Sequence, residues 1–368
     1  MSDEPPVEAE VICRREAGVG RITLNRPRAL HALTLPMVEA MTAALLDWRS
    51  DSAVEAVLID HSGERGFCAG GDIRFLADSA SQGGAGAREF FFKEYQLNHL
   101  LMVFGKPVVA LMDGVTMGGG VGISLPASVR IATERTRFAM PETGIGLFPD
   151  VGAGWHLPRL PGQSGLWLAL TGARLEAADC RRLGIATHVI RSEDAASVKE
   201  AVISAPGSLE TILGPYDLSP PEAPIEHRLG AIDRLFGHDS VEAIFAALEA
   251  DGSDFASSEL AALKTKSPLT MKVALRQLAE GSRMHSFADE MVQEMRIGAR
   301  MVMSRDFAEG VRAVIVEKDN APRWDPPRPE AVTHAMLEEV FAPLKRGEGQ
   351  EWTPLPQVAD ATGERPAI

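Results

Sequence analysis

Two carboxylates in a glycine-rich stretch are the residues of this sequence best suited to chemistry. Glu142 and Asp150 lie eight residues apart within segment 114–154, which is otherwise apolar and broken by Gly and Pro. Carboxyls that share an apolar pocket are driven to different pKa values, so one can act as base or nucleophile and the other as acid. The alternative interpretation of each residue alone is structural: Glu142 would be an acid in the first turn of a helix, and Asp150 a turn residue.

Glycines at two positions could supply the other half of such a site. Gly119 belongs to the triple glycine 118–120, and Gly71 lies in the sequence CAGGDI. Each is predicted to lie where a strand gives way to a helix, so their N–H groups can stay unpaired and point at one ligand atom. Two such donors form an oxyanion hole, in which each is worth roughly 3–4 kcal/mol. A tight turn is the usual role of an isolated glycine-rich segment.

Nucleotide motifs and a cysteine nucleophile are not supported. Counted from Gly118, the third glycine of GxGxxG would fall on Ile123, and counted from Gly152 it would fall on Leu157. No GxxxxGK[ST] segment occurs. Cys68 has no activating base in the sequence, which favours a small buried residue.

Composition points to a globular protein that acts on small molecules. The 368 residues carry a net charge of −14, which argues against a general nucleic-acid-binding surface. The three cysteines form neither a disulfide framework nor a metal motif. The acidic start resembles no secretory signal, and no apolar run is long enough to span a membrane. We therefore expect a soluble, cytoplasmic protein that binds no nucleic acid, membrane, metal or cofactor.

The elements that must position these residues alternate between strands and helices in the first half of the chain. Strands are predicted at residues 11–15, 19–24, 54–60, 108–112 and 186–190. Helices are predicted at residues 36–50, from 73, at 88–104 and at 121–128, with a loop at 79–87. A Pro-rich connector at 207–227 leads into helices that cover the core or contact another subunit. This alternation predicts an α/β fold with crossover connections.

Three segments resemble the crotonase superfamily of enoyl-CoA hydratases and isomerases. They read FCAGGDI, KPVVALMDGVTMGGGVGISL and FAMPETGIGLFPDVGAGWHLPRLPG. The acids resemble those of its 3-hydroxyisobutyryl-CoA hydrolase branch. The resemblance implies a crotonase-like spiral of β-β-α units with a helical C-terminal extension, divided as a core at 1–200, a linker and helical region at 201–330 and a tail at 331–368. It also implies a possible homo-oligomer, a trimer or a hexamer.

The resemblance also assigns roles to individual residues. Gly71 and Gly119 would be the oxyanion donors, and Glu142 and Asp150 the catalytic acids. Glu94 would occupy a polar position of the acyl pocket. The residues implied to follow the CoA part of the substrate are Arg28, near the phosphates, with Ala29, Leu30, Ala69, Asp72 and Ile73.

The acids distinguish the reactions of this superfamily. Its hydratases use two glutamates, and here the first of those positions is Gly122. Its dehalogenases carry an aspartate like Asp150 but a tryptophan where this chain has Glu142. The resemblance therefore implies hydrolysis of a short 3-hydroxyacyl-CoA thioester such as 3-hydroxyisobutyryl-CoA, a step of valine catabolism. An enoyl-CoA hydratase or isomerase is the alternative, and a non-catalytic acyl-CoA-binding protein is a minor one. Whether Glu142 would attack directly or activate water stays open.

Overall fold

Of the nine strands among the described residues, five lie in regions that the sequence predicts. The computed structural model describes residues 9–218, 222–359 and 361. Parts of the predicted connector at 207–227 and of the predicted tail at 331–368 lie outside the described residues. The strands are β1 (Val11–Glu16), β2 (Val19–Leu24), β3 (Ala56–His61), β4 (Gly66–Cys68), β5 (Val108–Met112), β6 (Val115–Met117), β7 (Val129–Thr133), β8 (Arg137–Ala139) and β9 (His188–Ile190).

Helices connect the strands and make up most of the chain after residue 190. The α-helices are α1 (Leu35–Ser50), α2 (Ile73–Ser81), α3 (Ala85–Met102), α4 (Gly119–Ser124), α5 (Ala153–His156), α6 (Ser164–Thr171), α7 (Ala177–Arg182), α8 (Ala195–Ser204), α9 (Leu209–Leu213), α10 (Leu229–Phe236), α11 (Val241–Asp251), α12 (Asp254–Leu263), α13 (Pro268–Gly281), α14 (Phe287–Met301), α15 (Arg305–Val311) and α16 (His334–Phe341). The 3₁₀ turns that bear on the site are Pro27–Ala29 and Glu142–Ile145. No helix of the described residues is both long enough and apolar enough to cross a membrane.

Two sheets form a spiral of β-β-α units, as the sequence predicted. The larger sheet has the order β1-β2-β3-β5-β7-β9, with β1 and β2 antiparallel and the other pairs parallel. The smaller sheet has the order β4-β6-β8 and is parallel throughout. Successive units place one strand in each sheet. Since parallel strands end on the same edge, the loops after β4, β6 and β8 are brought together.

The predicted helix α1 illustrates how the local sequence fixes an element. Thr34 caps it by accepting a hydrogen bond from the N–H of Met37, and Pro36 lies in the first turn, where no N–H is needed. Met37, Met41 and Leu45 recur every fourth residue and are fully buried. This spacing places one apolar stripe against the core, which is the pattern that predicted the helix.

The C-terminal helices lie over the core of their own chain. Helix α13 packs against α5 and α6, and α14 packs against α3 and α5. Helices α3 and α5 are therefore covered by helices that follow them by more than a hundred residues. The division of the chain at residues 200 and 330 stays a prediction.

Several predicted boundaries were wrong. Helix α4 begins at Gly119 rather than residue 121, because Gly118 has a φ of 46° and turns the strand directly into the helix. It ends at Ser124, before Pro126, rather than at residue 128. The predicted loop at 79–87 is reduced to a turn between α2 and α3, in which Gly83 and Gly84 have positive φ. Strands β4, β6, β7 and β8 were not predicted. The three strands of the small sheet are only three residues long, which is too short to show a period, and β7 directly follows the segment that was predicted as a helix ending at residue 128.

The two glycine loops pack so closely that no side chain fits at Gly120. A Cβ added there would lie 2.3 Å from the carbonyl oxygen of Cys68. We expect Gly120→Ala to lower the free energy of unfolding by about 1–3 kcal/mol through overpacking. Gly230→Ala is the control. Gly230 lies in α10, and a Cβ added there would meet no other atom within 4 Å, so the free energy of unfolding should rise by up to about 1 kcal/mol. Urea unfolding measures both, and an unchanged midpoint for Gly120→Ala would contradict the packing.

Candidate active site

Three loops meet at the edge of the small sheet. Gly71 follows β4, Gly119 follows β6 and Glu142 follows β8. A Cβ built on Gly118 would lie 3.2 Å from the Cα of Gly70 and 3.2 Å from Oε1 of Glu142. Backbone and carboxylate approach each other this closely only because both loops lack side chains at these positions. The structure therefore brings together the glycines and the first acid that the sequence singled out.

The N–H groups of Gly71 and Gly119 have no hydrogen-bond partner among the residues that the structure describes. Leu33 forms a bridge beside Gly71 by donating to the carbonyl of Gly70 (2.8 Å) and accepting from the N–H of Asp72 (2.9 Å). In such a bridge the N–H of Gly71 faces away from Leu33. Gly119 is the first residue of α4, where an N–H has no helical acceptor. Within the described part of the chain, neither N–H has a hydrogen-bond acceptor.

Three carboxyls face one small cavity. Glu94 on α3, Glu142 and Asp150 are 2%, 6% and 5% exposed, respectively. The cavity has a volume of about 70 Å³. Within the described residues, Oε1 of Glu94 and Oε2 of Glu142 have no hydrogen-bond partner, so these oxygens are available to a ligand or to water. The remaining lining consists of Ala69, Gly70, Gly71, Ile73, Leu76, Phe90, Phe91, Met117, Gly118, Gly119, Pro141, Ile145 and Leu147.

Burial changes the acidity of all three groups. Loss of solvation raises the pKa of Glu94 and of Glu142 well above the usual range of a glutamate, and the nearby Asp150 carboxylate raises both further. Burial raises the pKa of Asp150 to about 7. Near neutral pH, Asp150 is therefore balanced between its two protonation states, as a group that both takes and gives a proton should be.

Tyr95 is a site residue that the sequence reasoning missed. Its hydroxyl donates a hydrogen bond of 2.9 Å to Oδ2 of Asp150, and its side chain is fully buried. The bond favours the charged form of Asp150 and so opposes the effect of burial on its pKa. The only signal in the sequence was its place beside Glu94 on the aromatic helix.

The space that a hydratase glutamate would need is occupied. A Cβ added to Gly122 would lie 2.6 Å from Cβ of Val151 and 2.8 Å from Nδ2 of Asn98. The side-chain oxygen and nitrogen of Asn98 are buried, and neither has a hydrogen-bond partner in the described part of the chain. A side chain longer than hydrogen at this position would displace the residue that follows Asp150.

The predicted CoA-contacting residues fall into two groups. Ala69 and Ile73 line the cavity, and Leu30 accepts a hydrogen bond from the N–H of Ala69 (2.9 Å). Arg28 and Ala29 are exposed on the 3₁₀ turn Pro27–Ala29, away from the cavity lining. These positions fit a ligand that extends from the cavity toward the surface.

Asp72 has an evident structural role. Its side chain caps α2 by accepting from the N–H of Phe75 (3.3 Å) and forms an ion pair with Arg26 (3.2 Å). A contact of Asp72 with a ligand stays a prediction. No group of three or more metal-binding side chains is present among the described residues.

Known proteins resemble this chain over most of their length. The sequence profile of the enoyl-CoA hydratase/isomerase family matches residues 19–341. The chain belongs to this family. Among curated relatives, the mitochondrial 3-hydroxyisobutyryl-CoA hydrolase of Danio rerio is 42% identical, covering 91% of this chain and 90% of the relative. The protein of the same name from Homo sapiens is 40% identical, covering 94% and 91%.

Solved structures of the family have the same fold. A carnitinyl-CoA dehydratase from Mycobacterium thermoresistibile is 39% identical, with a TM-score of 0.87 over 91% of this chain and 97% of that one. An enoyl-CoA hydratase from Rhodobacter sphaeroides is also 39% identical, with a TM-score of 0.86 over 92% and 99%. The α/β crotonase fold predicted from the sequence is thereby confirmed.

The bond between Tyr95 and Asp150 can be tested by titration. We expect Tyr95→Phe to raise the pKa of Asp150 above its value of about 7, because the variant loses a donor that favours the carboxylate. NMR titration of ¹³C-labelled aspartate carboxyls measures this shift. Tyr216→Phe, at the other tyrosine of the chain, should leave the titration unchanged. A pKa that stays the same or falls in Tyr95→Phe would contradict the assignment.

Proposed function

We propose that the protein hydrolyses a short 3-hydroxyacyl-CoA thioester, 3-hydroxyisobutyryl-CoA, to 3-hydroxyisobutyrate and CoA. The observation that carries the proposal is that Glu142 and Asp150 line one cavity together with Gly71 and Gly119. The names of the curated relatives support this substrate. The reaction belongs to valine catabolism.

In the proposed mechanism the thioester carbonyl accepts hydrogen bonds from the N–H groups of Gly71 and Gly119. These donors stabilise the negative charge that develops on the carbonyl oxygen of a tetrahedral intermediate. Neither N–H must break an existing bond to do so. Because a thiolate is a comparatively good leaving group, stabilising this oxyanion contributes more than protonating the sulfur.

Glu142 acts on the carbonyl carbon in its ionised form. It either attacks directly, forming a mixed anhydride that water then hydrolyses, or removes a proton from the attacking water. Burial raises the pKa of Glu142 well above the usual range of a glutamate, and the Asp150 carboxylate raises it further, so ionised Glu142 is a stronger base than a glutamate in water. Asp150, with a pKa of about 7, is the group suited to accept a proton and to return it to the departing thiolate. Glu94 offers a free oxygen to the substrate hydroxyl.

The alternative is an enoyl-CoA hydratase or isomerase, and the similar protein from Rhodobacter sphaeroides is named an enoyl-CoA hydratase. Adding water to a double bond in this family uses two glutamates that hold the water between them. The first of these positions is Gly122, and Val151 and Asn98 fill the space beside it. This packing supports hydrolysis over hydration. A non-catalytic acyl-CoA-binding protein would have no need of two ionisable groups on one cavity.

Location and assembly stay predictions. The sequence suggested the cytoplasm, whereas the curated relatives carry the word mitochondrial in their names. The predicted homo-oligomer, a trimer or a hexamer, also stays open to measurement by analytical ultracentrifugation. The proposed reaction requires an acyl-CoA substrate and water, and it needs no further cofactor.

Release of free thiol tests the proposed reaction. We expect the wild type to release CoA from 3-hydroxyisobutyryl-CoA and to leave crotonyl-CoA unhydrated. Glu142→Gln should lower kcat at least about a hundredfold while CoA ester binding remains, because it removes the base or nucleophile. Glu193→Gln, at an exposed surface position, is the control and should keep full activity.

Three outcomes would overturn this proposal. They are hydration of crotonyl-CoA without thiol release, tight acyl-CoA binding without any product, and full activity of Glu142→Gln.

The small cavity predicts a narrow preference for short acyl groups. Leu76 lines the cavity from α2, and Leu76→Ala should raise kcat/KM for 3-hydroxyhexanoyl-CoA relative to 3-hydroxyisobutyryl-CoA. Leu45→Ala is the matched control, since Leu45 is equally buried in α1 but does not line the cavity. Both substitutions should cost about 2–5 kcal/mol of stability. An unchanged substrate ratio in Leu76→Ala would show that this wall does not limit the acyl group.

A further inference from the structure

Two glutamates outside the cavity lie beneath the loop that carries Asp150. Glu290 and Glu294 are four residues apart on α14, and neither side chain is exposed. Two carboxylates at this spacing on a helix repel each other, and burial makes a second charge still more unfavourable. Each of these side chains therefore needs partners that stabilise it in the folded protein.

The loop above these glutamates has a strained backbone. The carbonyl of Asp150 accepts a hydrogen bond from the N–H of Ala153 (3.0 Å), which closes a turn. Both central residues have positive φ, 56° at Val151 and 92° at Gly152. A turn of this type favours Gly, Asn or Asp at both positions, and a β-branched residue in the left-handed region costs on the order of 1–3 kcal/mol. Interactions elsewhere must hold the turn in this form.

Glu294 supplies that interaction. The N–H of Gly152 donates to both carboxylate oxygens, at 3.0 Å and 2.9 Å, and the N–H of Gly154 lies 3.5 Å from Oε1. Gln277 on α13 completes the anchor from the other side, because its Nε2 donates to the carbonyl of Pro149 (2.9 Å). The peptide units before and after Asp150–Val151 are thus both bound to buried side chains.

Glu290 joins this network through the side chain of Gln277. Nε2 of Gln277 also lies 3.1 Å from Oε1 of Glu290 and 3.2 Å from Oε1 of Glu294. Burial raises the pKa of Glu290 to about 7, and burial together with the neighbouring Glu290 raises the pKa of Glu294 well above the usual range. Gly154 leaves the room for this pair, since a Cβ there would lie 1.9 Å from Oε1 of Glu290.

We infer that Glu294 is a positioning residue for Asp150. It holds the Asp150–Ala153 turn in its strained form, and through the turn it keeps the Asp150 carboxylate against the Tyr95 hydroxyl and in the cavity. The effect on turnover rests on the proposed function, whereas the effect on the turn does not. No atom of Glu294 reaches the cavity lining.

Crystal structures of two full-length variants test the effect on the turn. Glu294→Leu removes both acceptors at similar volume, and the turn should relax so that the 2.9 Å bond between Tyr95 and Asp150 is lost. Glu294→Gln keeps one acceptor oxygen and should preserve both the turn and the bond. A Glu294→Leu structure with an unchanged turn would overturn the inference, whatever substrate the protein hydrolyses.

Amide hydrogen exchange of the wild type tests the same anchor without relying on the folding of a variant. The N–H of Gly152 should be strongly protected, at the level of the core strands. Exchange at the rate of an exposed loop would count against the inference.

Kinetics then test the consequence for turnover. Glu294→Leu should lower kcat at least about tenfold with KM changed less than threefold, because the substrate contacts remain while the proton carrier is misplaced. Glu294→Gln should restore kcat to within about threefold. Glu259→Leu is the control, since Glu259 is a partly buried glutamate that accepts from Trp167 far from this loop and should keep kcat.

The results separate the two claims. Loss of kcat in Glu294→Leu with rescue in Glu294→Gln supports the inference, and equal kcat in all variants refutes it. A wild type that releases no thiol refutes the proposed function, and the crystal structures and exchange rates still decide the role of Glu294.

Discussion

The loss of water around three carboxyls is the constraint on which the rest of this site depends. Glu94, Glu142 and Asp150 are almost completely buried around one small cavity. In water these groups would be ionised and weakly basic; here desolvation raises the pKa of each, so that Asp150 changes its protonation state near neutral pH. The same dry surroundings strengthen hydrogen bonds from backbone N–H groups to a developing oxyanion. The proposed acid–base chemistry and the proposed oxyanion binding thus depend on one property of the fold.

The fold keeps these groups in place by anchoring the acid loops from behind. The strands β4, β6 and β8 end side by side and bring the glycine loops and Glu142 to one edge. Ser267, the residue that caps α13, then holds the 3₁₀ turn Glu142–Ile145, because its N–H donates to the carbonyl of Thr143 (3.1 Å). Helix α14 holds the next loop through the bond between Gly152 and Glu294. The C-terminal helices therefore do more than cover the core, since they fix the backbone beneath both acids.

The sequence predicted the parts of the site whose signals are local. Gly71, Gly119 and Glu142 lie in short motifs directly after strands, and these motifs indicated both the family and the fold. The strands that precede these motifs, β4, β6 and β8, were not predicted, because a run of three residues is too short to show a period. The partners of Asp150 escaped it for another reason: Tyr95 is 55 residues away, and Glu294 reaches the next turn from 142 residues further on. Contacts of that separation depend on the packed structure and leave no pattern in a single sequence.

A crystal structure of Glu142→Gln with intact 3-hydroxyisobutyryl-CoA would test the central claim most directly. It would locate the carbonyl oxygen that the two glycines are proposed to bind. The account predicts this oxygen within about 3 Å of the nitrogen atoms of both Gly71 and Gly119, with the acyl hydroxyl group facing Glu94 and Asp150. A thioester carbonyl that points away from both N–H groups, or an acyl group lodged outside the cavity, would contradict it.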